Sequence, residues 1–301
     1  MKSPLDIGSR RELFVDGYLI EELIDLEHLL QTPKDSWEEM LQNYGGYVTV
    51  IKDDKSYKRY YRTSFGEEWY DGHPGELTCV EISSDGINWN APELDMYKEV
   101  DGHKNIILMG DPPRSHNFSP FLDKNPSAGK KERYKALSGT HKDDHGRPDT
   151  APPLQDIDSG LYAFSSPDGL HWKKMADYPV ITFSEFSFDS QNVSFWSELE
   201  QCYVCYFRCW EENPSVQKET GKQQKITMWT HLRSIARTTS LDFIHWTEPV
   251  RLKPNFPDEH LYTSQTHPYY RANHIYIALP TRYMQDRASS TDVMFMSARG
   301  E

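Results

Sequence analysis

The sequence predicts an all-β fold made of repeated units, and three observations lead to this prediction. A turn motif ending in tryptophan occurs at residues 84–89, 166–172 and 240–246. Runs of alternating apolar residues, broken by short turns, lie between the copies. No stretch has the pattern of a helix longer than a turn or two, although residues 21–30 leave this open. The three tryptophans lie 83 and 74 positions apart, a spacing that favours a β-propeller or another repeat fold.

The recurring turn has a physical explanation. In the first two copies it contains Asp-Gly, at Asp85 and Asp168, whereas the third copy has Phe243 where the others have glycine. The aspartate accepts hydrogen bonds from the backbone of a tight turn, and glycine adopts a positive φ there without strain. We expect the tryptophan that follows to pack between neighbouring sheets, so that each motif marks the end of a unit.

The predicted strands fall into four groups with one plan. They cover residues 44–51, 57–63 and 77–83; 116–122, 134–139 and 161–165; 191–196, 202–209 and 234–238; and 265–270, 274–279 and 292–297. Before them, residues 13–20 are predicted as two short strands around an Asp-Gly turn. The fourth group stops where its turn and tryptophan should follow. A fifth group is therefore missing, supplied by another chain or not needed. We expect a single β-propeller domain over residues 1–301 whose last blade is incomplete, because the chain is truncated at its C-terminus.

Composition and cysteine spacing exclude several classes of protein. A net charge of -13 argues against nucleic acid and acidic membrane surfaces as partners. No apolar stretch is long enough to span a membrane. The polar start lacks a signal core, which indicates a cytoplasmic protein, or a periplasmic or secreted one whose signal was removed. Cys202 and Cys205 would point to opposite faces of one strand, so these residues, Cys79 and Cys209 are predicted to be buried free thiols and not zinc ligands.

Polar side chains collect in the segments that lead into the innermost strand of each group. Innermost strands line the central channel of a propeller, so we expect these segments to meet at one mouth of that channel. The residues that carry this expectation are Glu38, His116, Asn117, Asp189, Gln191, Glu259 and His267. Carboxylates for acid/base work, together with amides and imidazoles for hydroxyl groups, are what a sugar site needs.

Several stretches of the chain resemble one group of enzymes. They are Leu-Phe-Val-Asp-Gly-Tyr-Leu-Ile at 13–20, the Asp-Gly-x-x-Trp turns, Ser-His-Asn-Phe-Ser-Pro at 115–120, Phe-Asp-Ser-Gln-Asn at 188–192 and Tyr-Thr-Ser-Gln at 262–265. With these stretches the chain resembles the five-bladed β-propeller glycosidases of glycoside hydrolase families 32, 43, 68 and 117. It lacks the Trp-Met-Asn-Asp-Pro-Asn, Arg-Asp-Pro and Glu-Cys motifs of invertases, which argues against hydrolysis of sucrose or fructan.

The resemblance implies cleavage of an oligo- or polysaccharide by carboxylates. One carboxyl group protonates the leaving oxygen, and another activates water or attacks the sugar carbon. By position, Asp189 is the expected site carboxylate, Glu259 the acid and Glu38 the base or nucleophile. The residues expected to bind the sugar are His116, Asn117, Gln191 and His267. A carbohydrate is the expected partner and no cofactor is expected; a divalent cation in the channel and a homo-oligomer are left open, and no calcium loop of recognisable spacing is present.

Three arginines support a second interpretation. Arg62, Arg208 and Arg282 each lie at the end of the second strand of a group. If they converge, they would bind an anion, namely a uronate, a sulfate ester or phosphate, in an anionic-sugar glycosidase or a glycoside phosphorylase. Salt bridges to the abundant acidic residues are the alternative. A third hypothesis is a non-catalytic propeller that binds glycans.

Overall fold

The fold is described here from a computed structural model, which covers residues 4–31, 46–54, 56–66, 72–111, 114–140, 158–184, 187–216, 230–254 and 259–299. Within these ranges the chain forms eighteen strands and one 3₁₀ turn, η1 (Lys130–Glu132). The predicted all-β class is confirmed, and residues 21–30 form no helix.

The first three units are four-stranded antiparallel sheets. Their strands are β1 (Gly46–Asp53), β2 (Ser56–Ser64), β3 (Glu76–Ser83) and β4 (Ile106–Met109); β5 (Ser119–Leu122), β6 (Tyr134–Thr140), β7 (Gly160–Ser166) and β8 (Lys173–Lys174); and β9 (Val193–Ser197), β10 (Cys202–Glu212), β11 (His231–Ser240) and β12 (Val250–Arg251). Within each sheet the strands are hydrogen-bonded in sequence order. The first three strands of each sheet match the predicted ones closely, whereas the outer strands β4, β8 and β12 are absent from the prediction.

The fourth unit is a three-stranded blade broken in the middle. Its strands are β13 (His260–Leu261), β14 (His267–Tyr269), β15 (Ala272–Ala278), β16 (Thr281–Met284), β17 (Ser290–Val293) and β18 (Met296–Arg299), in the orders β13-β16-β17 and β14-β15-β18. Ala278 of β15 pairs with Met296 of β18, and Thr281 of β16 pairs with Val293 of β17. Three residues therefore separate the two pairs along each strand, as in an uninterrupted antiparallel ladder. The register therefore continues across Pro280, which cannot donate a ladder hydrogen bond.

Consecutive blades pack face to face through shared apolar clusters. Between the first and second blades these include Tyr60, Val80, Tyr134 and Phe164; between the second and third, Leu161, Ala163, Phe207 and Phe243; between the third and fourth, Val204, Tyr206, Leu261 and Tyr276. The second and third sheets thus bury both faces against their neighbours, which is the propeller arrangement that the sequence predicts.

The repeated turns adopt the predicted geometry. Asp85 Oδ1 accepts hydrogen bonds of 2.8 Å from the backbone N–H groups two and three residues ahead, and Asp168 and Asp242 make the same pair. Trp172 lies edge-on to Tyr60 of the first sheet, with ring centroids 6.3 Å apart. The tryptophan of the second unit therefore packs between neighbouring sheets, as expected.

Strand β10 directs its cysteines to opposite faces of the sheet. Cys205 and Phe207 belong to the cluster shared with the second blade, and Cys202 and Val204 to the cluster shared with the fourth. Alternate residues of a strand face opposite sides, so Cys202 and Cys205 cannot act as a ligand pair. All four cysteines are buried and free, which confirms the prediction.

Residues 13–20 do not form the two predicted strands, and this prediction is wrong. Only the turn is present, with the Tyr18 N–H donating to Asp16 Oδ1 over 3.1 Å. The polar groups of the segment bind Arg299 of β18, whose Nε donates to Asp16 Oδ2 over 2.9 Å and whose Nη2 donates to the Leu13 carbonyl over 2.8 Å. These side-chain contacts attach the segment to the fourth blade in place of a strand ladder. The single domain over residues 1–301 and its truncation stay predictions.

Candidate functional site

Three amide side chains occupy the same position in successive blades. Asn117, Gln191 and Gln265 each stand two residues before the innermost strand of their sheet, β5, β9 and β14. Gln191 donates to Thr49 Oγ1 of β1 over 2.6 Å, and Gln265 donates to Gln191 Oε1 over 2.6 Å. One hydrogen-bonded chain therefore joins the innermost parts of the first, third and fourth blades. The inner segments converge around a common axis, as the propeller plan requires.

Asn117 and its neighbour His116 belong to a buried polar network at the junction of the first two blades. Arg62 Nη1 donates to Asn117 Oδ1 over 2.7 Å and lies 3.4 Å from His116 Nδ1. His116 Nδ1 in turn lies 2.8 Å from Glu76 Oε2, and the guanidinium of Arg62 stacks over the Tyr47 ring at 4.7 Å. Three of the predicted binding residues, Arg62, His116 and Asn117, are thus brought together.

Glu76 is a site carboxylate that the sequence analysis does not identify. Burial acts to raise its pKa, but His116 and Arg62 outweigh burial, so the pKa of Glu76 lies below its usual value. The residue opens β3 directly after a long polar loop, and nothing in the local pattern separates it from a solvated loop charge. A signal appears only once β3 is placed beside the segment that leads into β5.

Asp189 reaches the surface beside a buried arginine. Arg208 Nη1 donates to the Asp189 carbonyl over 3.0 Å, and Arg208 Nη2 lies 3.4 Å from Asp189 Oδ2. The side chain of Asp189 is 23% exposed and that of Arg208 1%. Just before it, Phe188 is fully buried with φ at 76°, a conformation rare for a bulky residue, which turns the chain sharply into the site.

Arg208 shares its surroundings with Arg233, which the sequence analysis does not identify. The guanidinium of Arg208 stacks over the ring of Tyr262 at 4.5 Å, and that of Arg233 does so at 4.9 Å. His260 Nδ1 accepts a 3.1 Å hydrogen bond from the Arg233 backbone N–H. Burial first, and then the charges of Arg233 and Arg208, lower the pKa of His260 to about 4, so this imidazole is neutral at neutral pH.

The remaining predicted residues lie in other surroundings. Arg282 Nη1 donates to Glu259 Oε1 over 2.8 Å, and its other nitrogens donate to Asp292 over 3.0 and 2.6 Å. His267 is exposed and lies 2.8 Å from the Gln265 carbonyl. Glu38 falls outside the described residues. The three predicted arginines therefore have three different sets of partners, and their convergence on one anion stays a prediction.

The described ranges contain no group of three or more histidine, cysteine, aspartate or glutamate side chains arranged to hold a metal ion. A divalent cation in the channel stays a prediction that none of these contacts tests. No helix in the part of the chain that the structure describes has the length and apolar character needed to cross a bilayer.

Comparison with known proteins places the fold. The fructofuranosidase of Schwanniomyces occidentalis complexed with fructose is similar at a TM-score of 0.51 and 13% sequence identity, over 83% of this chain and 43% of that one. A variant of the same enzyme complexed with fructosylnystose gives the same score and identity over 85% and 44%. The chain has the fold of the five-bladed β-propeller glycosidases. A glycosyl hydrolase from Bacteroides ovatus aligns with this propeller at a TM-score of 0.44 and 11% identity, over 84% of this chain and 66% of that one.

This chain therefore covers at most 66% of the length of each of these three proteins. No family model matches the sequence, and no curated protein matches it. At 11 to 13% identity the likeness concerns the fold, so the chemistry has to be argued from the side chains.

Proposed function

We propose that the protein is a glycoside hydrolase that cleaves an oligo- or polysaccharide by carboxylate acid/base catalysis. The observation that supports this most is the meeting of inner segments from several blades around one axis. The two hydrogen bonds that link Thr49, Gln191 and Gln265 mark the place where these segments meet. Asp189 lies two residues before Gln191, and its carboxylate is partly exposed. A carboxylate beside convergent amides is what recognition and cleavage of a sugar require.

Asp189 is the carboxylate that we assign to catalysis, with Glu38 as the base or nucleophile and Glu259 as the acid. Arg282 holds Glu259 Oε1 at 2.8 Å, and the buried Oε2 makes no hydrogen bond with the residues that the structure describes. In the proposed reaction, this second oxygen is the one that a substrate oxygen would contact. Asn117, Gln191 and His267 supply amide and imidazole groups for sugar hydroxyls.

The substrate differs from that of the similar fructofuranosidase. Three sequence motifs of invertases are missing from this chain. An interface between the third and fourth blades also holds two buried arginines, which suits an acidic sugar or phosphate. An anionic-sugar glycosidase or a glycoside phosphorylase is therefore the second candidate function.

The test is release of reducing sugar from a panel of plant and algal polysaccharides by the wild type, Asp189→Asn and Glu259→Gln. Glu198→Gln is the matched control, because Glu198 is an exposed carboxylate of the third blade whose nearest charged partner, Lys124, lies 3.8 Å away. We expect release by the wild type and the control and at least a hundredfold loss in Asp189→Asn, the range for a general acid or base. Full activity in both site variants would disprove the assignment, and tight glycan binding without release would indicate the non-catalytic alternative.

A further inference from the structure

We propose that Arg208 and Arg233 form an oxyanion site between the third and fourth blades that binds the charged group of the substrate. The inference rests on the proposed function, since it assigns the class of sugar to that same site. The chemistry shared by all suitable ligands is a compact oxyanion. Its sources are the carboxylate or sulfate of an acidic sugar and, for a phosphorylase, free phosphate, which the experiment below separates.

Strand register brings the two arginines onto one face. Trp210 of β10 pairs directly with Arg233 of β11. Arg208 is two residues before Trp210, and residues two apart in a strand share a face. Both guanidinium groups lie over the Trp210 ring, Arg208 at 5.0 Å and Arg233 at 4.8 Å. Tyr262 of the fourth blade covers them at 4.5 and 4.9 Å, so aromatic rings hold two like charges side by side.

The guanidinium groups carry unused hydrogen-bond donors. Arg208 is 2% exposed and Arg233 is 8% exposed. Nevertheless Nε of Arg208, and Nε and Nη1 of Arg233, make no hydrogen bond with the described part of the chain. Nη2 of Arg208 likewise makes no hydrogen bond there and has a 3.4 Å ion-pair contact with Asp189 Oδ2. Leaving such donors unsatisfied in a protein interior is costly, and the cost is greater for a charged group. A bound oxyanion would satisfy several of them at once.

The net positive charge of the cluster also favours binding of an anion. Asp189, 3.4 Å from Arg208 Nη2, is the carboxylate that the described residues place against the pair. His260 is neutral at neutral pH, because burial and the two arginines lower its pKa to about 4. Burial, and then the charge of Arg208, also lower the pKa of Arg233. Two cations and one carboxylate leave one positive charge, which a monoanion neutralises.

Two other arginines, Arg237 and Arg282, have their own carboxylates. Arg237 binds Glu200, and Arg282 binds both Glu259 and Asp292. The proposed anion site therefore pairs Arg208 with Arg233, whereas the donors of Arg282 are already used by Glu259 and Asp292. Asp189 and Tyr262 contact Arg208 and are half-buried, so a ligand would reach the pair past their side chains.

The experiment is titration of the full chain with sodium glucuronate, sodium phosphate and glucose by calorimetry, at constant ionic strength. We expect saturable binding of glucuronate or phosphate, none of glucose, and at least tenfold weaker binding by Arg233→Gln, as expected for the loss of charge-assisted hydrogen bonds. Arg237→Gln is the control on the same strand and should bind as the wild type. Binding of glucuronate alone identifies an acidic sugar, and binding of phosphate alone identifies the phosphorylase source.

Two outcomes would overturn the proposal: no binding of either anion, or binding that Arg233→Gln leaves unchanged. If Arg233→Gln does not fold, Arg208→Lys gives the same test, because lysine keeps the charge and removes the fork of donors. The readout needs no turnover, so it separates the two proposals. Anion binding without sugar release would contradict only the hydrolase, and sugar release without anion binding would contradict only the anion site.

Discussion

Gln265 donates a 2.6 Å hydrogen bond to Gln191, although the two residues are 74 positions apart. The same interval separates Trp172 from Trp246 and Asn117 from Gln191. The pair therefore links equivalent positions of consecutive blades at the axis. Because Gln191 also donates to Thr49, one side chain holds the first, third and fourth blades together.

We predict that Gln191→Ala lowers the free energy of unfolding by about 1–3 kcal/mol, because it removes two hydrogen bonds to the half-buried side chains of Thr49 and Gln265, each worth about 0.5–1.5 kcal/mol. Urea denaturation measures this change. Asn273→Ala is the control, since Asn273 also donates a side-chain bond, to Glu198 over 2.8 Å, but at the surface. Asn273→Ala should lower the free energy of unfolding by no more than about 0.5 kcal/mol. Equal costs for the two variants would mean that the axial chain is not a structural link.

A second prediction concerns the repeated turn, where Gly86 and Gly169 have φ of 78° and 76°. A Cβ at Gly169 would lie 2.5 Å from Tyr60 Oη, whereas one at Gly86 would meet the Tyr57 ring at an ordinary 3.5 Å. Gly86→Ala should cost about 1–2 kcal/mol for the left-handed conformation alone. Gly169→Ala should cost about 1–3 kcal/mol more, because the surrounding core is overfilled. Thermal or urea unfolding of the two variants checks the order, and a smaller loss in Gly169→Ala would contradict it.

His260 gives a pH prediction. Its pKa is about 4 in the folded chain, against an ordinary value of 6.5. The unfolded chain therefore binds the proton first, so the stabilisation is complete above pH 6.5 and is lost as the pH falls toward 4, by at most about 1.4 kcal/mol per pH unit for one proton. His260→Gln should show a flatter decline in the free energy of unfolding over this window. Identical pH dependence of the free energy of unfolding in variant and wild type would show that His260 is not the source of this decline.

Much of the fold could be predicted from the sequence because its signals are local. The apolar run along β10 and the Asp-Gly turns depend only on neighbouring residues, and both the strand and the turns appear in the structure as predicted. The outer strands β8 and β12 have two exposed residues each, too few for a period. The stretch at 13–20 has the composition of strands, but its polar groups bind Arg299 instead.

The site could be predicted only in part, because its contacts depend on register between distant strands. The amides stood out as polar residues ahead of inner strands. Arg233 did not stand out, because its proximity to Arg208 depends on the pairing of Trp210 with Arg233 between β10 and β11. Glu76 likewise gains its role from His116, 40 positions away.

The most direct test of the account is chemical rescue of Asp189→Gly with azide on a substrate that the wild type cleaves. If Asp189 is a catalytic carboxylate, the folded variant should lose at least about a hundredfold in turnover. Azide should then restore part of the rate, because a small anion can replace the negative charge of the carboxylate at the vacated position. Wild-type turnover by the folded variant, with no response to azide, would contradict the account.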